Sequence, residues 1–578
     1  MKNIKISIQN KQIIIYFFAA LLACFAFLQV IPSYGAYTVF MAVEGICGVI
    51  GYYIYERCMI KKEKKPSVMV PVIMIGVFVM QCLFVVVGEM INCFFVDNKV
   101  QWPFTVLLFL GILIVFFFLF KAYNQNKITA EQTISILIFI AFLFHLLYAQ
   151  FTGIANLARQ NDTIQFTNGG GHLGYIWHVW AYGTLPDVDP RTMWEFSQPP
   201  LYYLLSGYWI KISSVLGVPI LKTSENIQFF SVLCVTLTTI YLDKIMKLMG
   251  FEAEKRIWAV LFLSCIPYTT YLSGAVNNDV LLVLLTVMAF YYALKWYENP
   301  KLPVLIIDAV ITGLLVMSKS SGALVAPAIA AIFIMRLLKD RGSRGKRIVE
   351  YLLYGAISLP LGLWWNIRNV IRFGMPFLYV NEPSTDSIQY IPEYSIWERL
   401  FDTRNQLNHL YIELFNTSEN VDHNIIISTL KTLTFTHSAE MMSTDVTLFW
   451  GSILYVFTIL FAVLMIIFGF IGLWKGKINM HHKIAWAVLV FSYLVFYLYF
   501  NVQYPFVHTM HARYILPVIY LGIPWMLAGM KWLWTHGKFE NVRGKKVLKY
   551  LFGGYAIGYF AVLQCYMLEI VIQAGERI

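Results

Sequence analysis

The chain has 578 residues, of which 59% are hydrophobic and only 13% are charged. A soluble chain carries about 25% charged residues, so this composition does not fit an ordinary soluble enzyme. The net charge of +12 needs no nucleic-acid partner, because basic loops that face an anionic membrane surface account for it. We therefore expect membrane lipids, and no nucleic acid, as partners.

Apolar runs long enough to cross a bilayer recur along the whole chain. Such a crossing takes about 20 mainly apolar residues in a helix. The first run, IIIYFFAALLACFAFLQVI, is longer than the core of a cleaved signal, so we expect a retained span. The predicted spans are 13–32, 36–55, 67–87, 104–120, 133–150, 226–248, 257–272, 279–296, 303–317, 322–338, 349–366, 447–473, 484–502, 513–530 and 549–570. The sequence thus predicts an all-α polytopic membrane protein with about 13–15 transmembrane helices.

Charge sorts the connecting loops into two sets. One set contains RCMIKKEKK, KDRGSRGKR, KGKINMHHK and KFENVRGKKVLK, and it falls on the same side as the amino terminus. Because cytoplasmic loops are enriched in Lys and Arg, this side is predicted to be cytoplasmic. The two longest loops, 151–225 and 367–446, then lie on the extracytoplasmic side of the cell membrane.

We expect three parts along the chain. Residues 1–132 form an N-terminal four-helix membrane extension, 133–530 form a membrane core with both outer loops, and 531–578 hold a cytoplasmic loop and the last span. Within the first outer loop, PPLYYLLSGYWIKISSVLG predicts an amphipathic helix at the membrane interface. The second outer loop is expected to be a partly ordered cover that restricts water and selects the acceptor.

The first outer loop holds QNDTIQFTNGGGHLGYIWHVWAYGTLPDVDPRTMWEFSQPP, a polar stretch in an apolar chain. Asp162 could take a proton as general base, or it could cap the helix that follows the span. His172 could contact a substrate or make a structural hydrogen bond, and the three glycines before it indicate close backbone approach. Asp187 and Asp189 resemble a metal-binding pair, but their place before a proline is typical of a turn. A divalent metal is therefore not expected there.

Few cations are predicted on the outer side, and several of them lie at span ends. Lys319, Arg368 and Arg513 would lie near the surface where a lipid phosphate is found. Arginine suits phosphate because its guanidinium donates two parallel hydrogen bonds. The alternative is that these side chains extend to ordinary lipid headgroups. Asn278 and Asp279 begin another span, where they could position a sugar or the catalytic loop, or simply cap the helix.

Several fragments, in this order, resemble bacterial members of the dolichyl-phosphate-mannose–protein mannosyltransferase superfamily. They are GGHLGYI, QPPLYYLL, SGAVNNDVLLVLL, SKSSGALVAPAIA, GLWWNIRNVIRFGMP and HARYILPV, within residues 133–530. The resemblance implies a C-type glycosyltransferase fold, a polyprenyl-phosphate sugar donor and no metal. It also adds Gln198, Tyr202 and Tyr514 as substrate-binding candidates. The family often carries two adjacent acids, or His-Asp, in its first outer loop, whereas this chain reads Asn161-Asp162 and keeps one acid.

A sugar linked to a lipid phosphate carries a good leaving group, so its transfer needs a base and cations rather than a strong acid. We therefore expect an inverting, metal-independent transferase of the hexosyl or mannosyl type, with Asp162 as general base. Its acceptor would be the hydroxyl of an extracytoplasmic protein, glycan or lipid.

Two other classes remain open. A cell-envelope polysaccharide polymerase or ligase would depend on outer arginines and would stay active after Asp162→Asn. A flippase or transporter is a further alternative, but such proteins favour repeated halves and charges at the middle of the membrane. The sequence shows no clear repeat, and its charges cluster at one surface.

Overall fold

The structure is a computed structural model. It describes residues 101–153, 170–215, 220–377, 379, 384–404, 406–436, 444–535 and 542–573. The first three predicted spans and Asp162 lie outside these residues, and the division into 1–132, 133–530 and 531–578 stays a prediction.

The part of the chain that the structure describes is helical and contains no β-strand, only an isolated bridge between Tyr390 and Phe506. The α-helices are α1 (Gln101–Asn124), α2 (Ala130–Phe151), α3 (Gly171–Tyr182), α4 (Leu201–Val215), α5 (Ile220–Leu248), α6 (Ala253–Cys265), α7 (Pro267–Ser273), α8 (Asp279–Glu298), α9 (Leu302–Ser318), α10 (Ala326–Lys339), α11 (Arg344–Phe373), α12 (Ile396–Phe401), α13 (Ile425–Phe435), α14 (Asp445–Lys475), α15 (Met480–Gln503), α16 (Leu516–Thr535) and α17 (Val542–Gln573). Short 3-10 helices cover Pro190–Thr192, Ser320–Val325, Arg341–Ser343, Val507–Thr509 and Ala512–Ile515.

Within the described ranges, 10 helical segments are long and apolar enough to cross a membrane. These segments are Thr105–Asn124, Ala130–Ala149, Ser224–Leu248, Asp279–Glu298, Ser320–Lys339, Arg341–Phe373, Asp445–Lys475, Met480–Gln503, Val507–Thr535 and Tyr550–Val571. The shorter apolar helix α9 corresponds to the predicted span 303–317. The protein is therefore an all-α, multi-pass membrane protein, as predicted. The total of about 13–15 spans and the side on which each loop lies stay predictions.

One predicted span, 257–272, is wrong as a single helix. The chain is helical up to Cys265, is extended at Ile266 and starts a new helix at Pro267. A residue before proline is disfavoured in the α conformation, and proline itself is well suited to the first position of a helix. The segment is buried throughout, so hydropathy alone did not reveal the break.

Helices α14 and α16 cross at very short range. A Cβ atom added to Gly472 would lie 2.0 Å from the Trp525 carbonyl oxygen, and one added to Gly529 would lie 2.0 Å from the Phe468 oxygen. Glycine allows this approach because it has no side chain, and small residues serve the same purpose at helix contacts in membranes. The two glycines therefore set the distance between these helices.

The described part of the second outer loop is ordered around a buried ion pair. Lys431 of α13 lies 2.9 Å from Asp422, and neither side chain is exposed to solvent. The loop also pairs its backbone with the segment before α16, since the Val507 N–H donates to the Gln389 oxygen at 2.9 Å. These contacts confirm that part of this loop is ordered, while its role as a cover stays a prediction.

Candidate active site

Helix α3 begins at the triple glycine and places His172 in its first turn. A Cβ atom on Gly170 would lie 3.0 Å from the Trp194 nitrogen, and Gly171, with φ +82°, donates its N–H to the Trp194 oxygen at 3.1 Å. The predicted close backbone approach is confirmed. The sequence did not predict the helix itself, because two consecutive glycines are poor helix formers.

His172 is buried and makes the structural hydrogen bond that was one of its two interpretations. Its Nδ1 lies 2.9 Å from the Tyr203 hydroxyl, and the two rings stack with centroids 5.8 Å apart. Tyr203 belongs to α4, the helix predicted from the PPLYYLL segment. Helix α4 exposes Leu205, Tyr208 and Ile212, an apolar face that suits the membrane interface. Contact of His172 with a substrate stays a prediction.

Tyr175 lies at the centre of this aromatic group, and the sequence reasoning missed it. Its ring stacks on Tyr203 at 4.0 Å and on Phe196 at 4.8 Å. Complete burial raises the pKa of the Tyr175 hydroxyl, and the nearby Arg368 only partly opposes this effect. The phenol is therefore neutral at physiological pH. A tyrosine in an apolar helix is most often a core residue, so no signal in the sequence marked it.

A second group of polar residues, here called the polar cluster, consists of Tyr202, Asn277, Asn278, Asp279, Ser318 and Lys319. The Tyr202 hydroxyl is buried beside Ser206, Ser231 and the backbone of Asn277. Because Tyr202 precedes Tyr203 in α4, this contact joins the His172 group to the start of α8. The cluster is thus continuous with the aromatic stack.

Lys319 and Asp279 form a buried ion pair within the polar cluster. The ammonium group donates to Asp279 Oδ1 at 2.5 Å, and the two side chains are 16% and 3% exposed. Lys319 therefore contacts a protein carboxylate, rather than extending to a lipid headgroup. An ammonium group has three N–H donors, so two are left for another anion.

Asn278 does not cap α8 through its side chain, although it occupies the capping position. Its Nδ2 instead donates to the Ser318 oxygen at 3.2 Å, which ties the start of α8 to the end of α9. The Asp279 N–H bonds Asn277 Oδ1 at 2.7 Å. Asn278 thus occupies the cap position of α8, as one interpretation expected, but its side chain makes a contact between helices instead of a cap hydrogen bond.

The polar cluster contains buried atoms that have no hydrogen-bond partner among the described residues. These atoms are Asn278 Oδ1, Asp279 Oδ2 and Ser318 Oγ. Buried polar groups in folded proteins nearly always have a hydrogen-bond partner. Several unpaired atoms close together therefore indicate a position where a ligand or water binds. Its position at the ends of apolar helices suits a polar group presented at a membrane surface.

The end of α11 holds the first outer loop in place. Arg368 donates to the Pro186 oxygen at 2.8 Å and lies 4.6 Å from the Trp365 ring. The Trp365 indole donates to the Ser197 oxygen at 3.2 Å, directly before Gln198. Arg368 is thus engaged by the loop rather than extended to lipid, and whether it also binds a carrier phosphate stays a prediction. The sequence reasoning missed Trp365, since a tryptophan near a span end is common in membrane proteins.

The two aspartates of LPDVDPR are both engaged by arginines. Asp187 pairs with Arg372, and Asp189 lies 2.6 Å from Arg191. Asp189 also caps the 3-10 helix Pro190–Thr192 by accepting from the Arg191 N–H, which confirms the predicted turn. Hydrogen bonds from Arg191 hold the pKa of Asp189 below its usual range, so this carboxylate stays charged. That no metal binds here remains a prediction.

Arg513 and Tyr514 lie between α15 and the second outer loop. They lie on the 3-10 helix Ala512–Ile515, with Arg513 Nη2 3.3 Å from the Tyr514 hydroxyl. This short helix packs against α15, and so does Ser320–Val325, which follows Lys319 directly. The second outer loop also reaches this point, since the Ala512 N–H donates to Thr432 of α13 at 3.0 Å. The predicted role of Arg513 and Tyr514 in substrate binding is untested.

Residues 198–365 match the model of a family described as dolichyl-phosphate-mannose-protein mannosyltransferase. The matched segment contains five of the predicted site residues, namely Gln198, Tyr202, Asn278, Asp279 and Lys319. The match covers less than a third of the chain, and over that segment it agrees with the predicted resemblance to this superfamily. The helical architecture described above confirms the all-α, multi-pass part of the predicted fold class.

Two solved proteins show a distant likeness. ArnT from Cupriavidus metallidurans in the apo state is 11% identical over 68% of this chain and 76% of that chain, with a TM-score of 0.32. Its structure bound to undecaprenyl phosphate gives 12% identity over 69% and 77%, with a TM-score of 0.31. The archaeal oligosaccharyltransferase AglB from Archaeoglobus fulgidus, in complex with an inhibitory peptide and a dolichol-phosphate, gives 12% over 76% and 56%, with a TM-score of 0.38. At these TM-scores, residues of this chain are not assigned to residues of the solved proteins. A comparison with curated proteins gave no match.

Proposed function

We propose that the protein is an integral-membrane glycosyltransferase that moves a sugar from a polyprenyl-phosphate donor to an extracytoplasmic acceptor hydroxyl, with inversion. The observation that carries the proposal is the polar cluster, in which unpaired buried atoms surround the Lys319–Asp279 pair at the ends of apolar helices. The family match over residues 198–365, which includes this cluster, supports the same class of donor.

Lys319 is proposed to hold the donor phosphate. Its ammonium group has two N–H donors beyond the one given to Asp279, and preorganised cations stabilise charge that develops on a leaving phosphate. Asp279 would act as a positioning residue, because its carboxylate fixes the direction of the Lys319 side chain. Arg368 and Arg513 would add further positive charge at the same end of the helices.

The sugar is proposed to lie against the polar cluster. Asn278 Oδ1 is buried and unpaired among the described residues and could bind a sugar hydroxyl. Tyr202, whose hydroxyl is buried in the same cluster, is the second candidate for contact with the sugar. His172 would contribute through Tyr203, and Gln198 lies on the loop that α11 holds in place. The hexosyl or mannosyl type of the donor is part of this proposal.

Asp162 is proposed as the general base. A single carboxylate is sufficient here because the lipid phosphate leaves without help from an acid, and the base only has to take the acceptor proton. The engagement of Asp187 and Asp189 by arginines supports a mechanism without metal. The protein cations would then supply the charge stabilisation that a metal gives in other transferases.

The test is sugar transfer by the purified protein from a panel of labelled polyprenyl-phosphate sugars, with and without EDTA. We expect transfer from at least one donor, or slow release of free sugar when no acceptor is present, at equal rates in both conditions. Activity that EDTA abolishes would contradict the metal-independent mechanism. Binding of undecaprenyl lipids without any transfer or hydrolysis would favour a polymerase, a ligase or a flippase instead.

A further inference from the structure

A group of three metal-ligating side chains lies far from the polar cluster, at the opposite end of α8. This helix begins at Asp279 and ends at Glu298, about 28 Å away at 1.5 Å per residue. Glu298 meets His481 and His482 in the first turn of α15. The His481 Nε2 lies 2.6 Å from Glu298 Oε1, and the His482 Nε2 lies 3.5 Å from the same oxygen.

His482 is the unusual member of this group. Its side chain is only 1% exposed, and neither ring nitrogen has a hydrogen-bond partner among the residues that the structure describes. Burying an imidazole without any hydrogen bond costs free energy, so such a group in a folded protein calls for a partner. The nitrogen that faces Glu298 and His481 is available to bind a cation.

We propose that Glu298, His481 and His482 bind a divalent cation, with Zn²⁺ as the best fit. One carboxylate and two imidazoles make a common zinc ligand set, and the fourth position is then open to water. Ligands at about 2.0–2.1 Å in tetrahedral geometry lie about 3.3 Å from one another. The possible ligand atoms of the three residues already lie within 4.8 Å of one another. To admit the ion, the short His481–Glu298 contact would open by less than an ångström and the longest separation would close by at most about 1.5 Å.

The surroundings of the group orient the ligands. The His481 ring stacks on Tyr297 with centroids 4.2 Å apart, which fixes the plane of the imidazole. Arg336 donates to the Tyr297 oxygen at 2.7 Å but is paired with Asp340 at 2.8 Å. Lys339 lies 5.2 Å from the Tyr297 ring, so its positive charge is close to the proposed site.

The bound metal would be structural. It would join the end of α8 to the start of α15, adding to the hydrogen bond between His481 and Glu298 and to the stacking of His481 on Tyr297. Because α8 carries Asp279 at its other end, the bound metal would stabilise the position of the helix that supports the polar cluster. It would take no part in sugar transfer, so the proposal stands or falls independently of the proposed function.

The test measures metal binding by the full-length protein purified in detergent and stripped with a chelator. We expect one Zn²⁺ per chain by elemental analysis, and a visible absorption spectrum typical of four-coordinate Co²⁺ when cobalt replaces zinc. His482→Ala and Glu298→Gln should each lower the zinc affinity by at least about 100-fold, because even outer-shell changes cost about 10–100-fold. His178→Ala, which removes an imidazole of α3, is the matched control and should bind like the wild type.

Two results would overturn the proposal. One is a wild type that binds no zinc, and the other is a Glu298→Gln variant that keeps the cobalt spectrum and the affinity. Glu298 is partly exposed, so its substitution by the isosteric glutamine is expected to leave the fold intact. Size-exclusion chromatography checks this, and Glu298→Gln decides the outcome if His482→Ala does not fold.

Discussion

Lys319 and Asp279 form a pair whose two members need each other in the folded protein. Both side chains are largely buried, and the contact is 2.5 Å. Removing one partner of a buried pair leaves an uncompensated charge and costs about 3–5 kcal/mol, whereas replacing both with neutral groups is often tolerated. The pair is therefore both a candidate phosphate site and a structural link between α8 and α9.

We predict that Lys319→Met and Asp279→Asn each lower the unfolding temperature, and that the double variant recovers part of the loss. Thermal unfolding of the four proteins in detergent gives the coupling between the two positions. Lys431→Met, in the separate Asp422 pair of the second loop, is the control and should show no coupling to Asp279→Asn. Purely additive losses for Lys319 and Asp279 would contradict the pair.

At the residue scale, polar residues at span ends were the part of the site that sequence reasoning could find. A lysine or an Asn-Asp pair next to an apolar run stands out because burial of charge in a membrane is costly. Tyr175 and Trp365 gave no such signal, since their residue types are ordinary in a membrane core. The Glu298–His481 contact joins residues 183 positions apart, and only the fold brings them together.

Helix boundaries depended on local chemistry in a similar way. Long apolar runs such as α14 and α15 were predicted close to their observed limits. The break at Pro267 was missed because the hydropathy of the segment is continuous, and α3 was missed because it begins with glycines. Short helices in the outer loops depend on contacts with the spans, which no local pattern contains.

The crossing of α14 and α16 gives a prediction at this scale. Gly529→Ala should destabilise the protein by about 1–3 kcal/mol, because the added methyl group overlaps the Phe468 carbonyl oxygen. Thermal unfolding in detergent measures this change. Gly469→Ala on the same pair of helices is the control, since a Cβ atom there meets nothing within 4 Å. An equal response of the two variants would show that the close crossing is not what glycine serves at position 529.

The whole molecule has two kinds of surface beyond its apolar belt, and the predicted orientation assigns them to opposite sides of the membrane. The second outer loop exposes Ser384, while the basic segment between α10 and α11 exposes Ser343. Positive loops stay in the cytoplasm, which makes the side of each segment a direct test of the predicted topology.

We predict that Ser384→Cys reacts with a membrane-impermeant maleimide on intact cells, and that Ser343→Cys reacts only after the membrane is permeabilised. The wild type gives the background from its own cysteines, three of which (Cys234, Cys265 and Cys565) are buried and free. Labelling of Ser343→Cys from outside would reverse the topology and with it the proposed extracytoplasmic acceptor.

The central claim is that one carboxylate, Asp162, activates the acceptor for transfer from a lipid-phosphate sugar. The most direct test compares Asp162→Asn with the wild type in single-turnover transfer, with donor binding measured in parallel. Asparagine is as good a helix cap as aspartate, so this substitution tests the base and not the alternative capping role of residue 162. Asp386→Asn, at an exposed position of the second loop, is the control.

The account predicts that Asp162→Asn binds the donor normally but transfers sugar at least about 100-fold more slowly, the usual contribution of general base catalysis. The control should transfer at the rate of the wild type. An Asp162→Asn protein that transfers as fast as the wild type would contradict the account, and it would direct attention to the arginines of a polymerase or ligase.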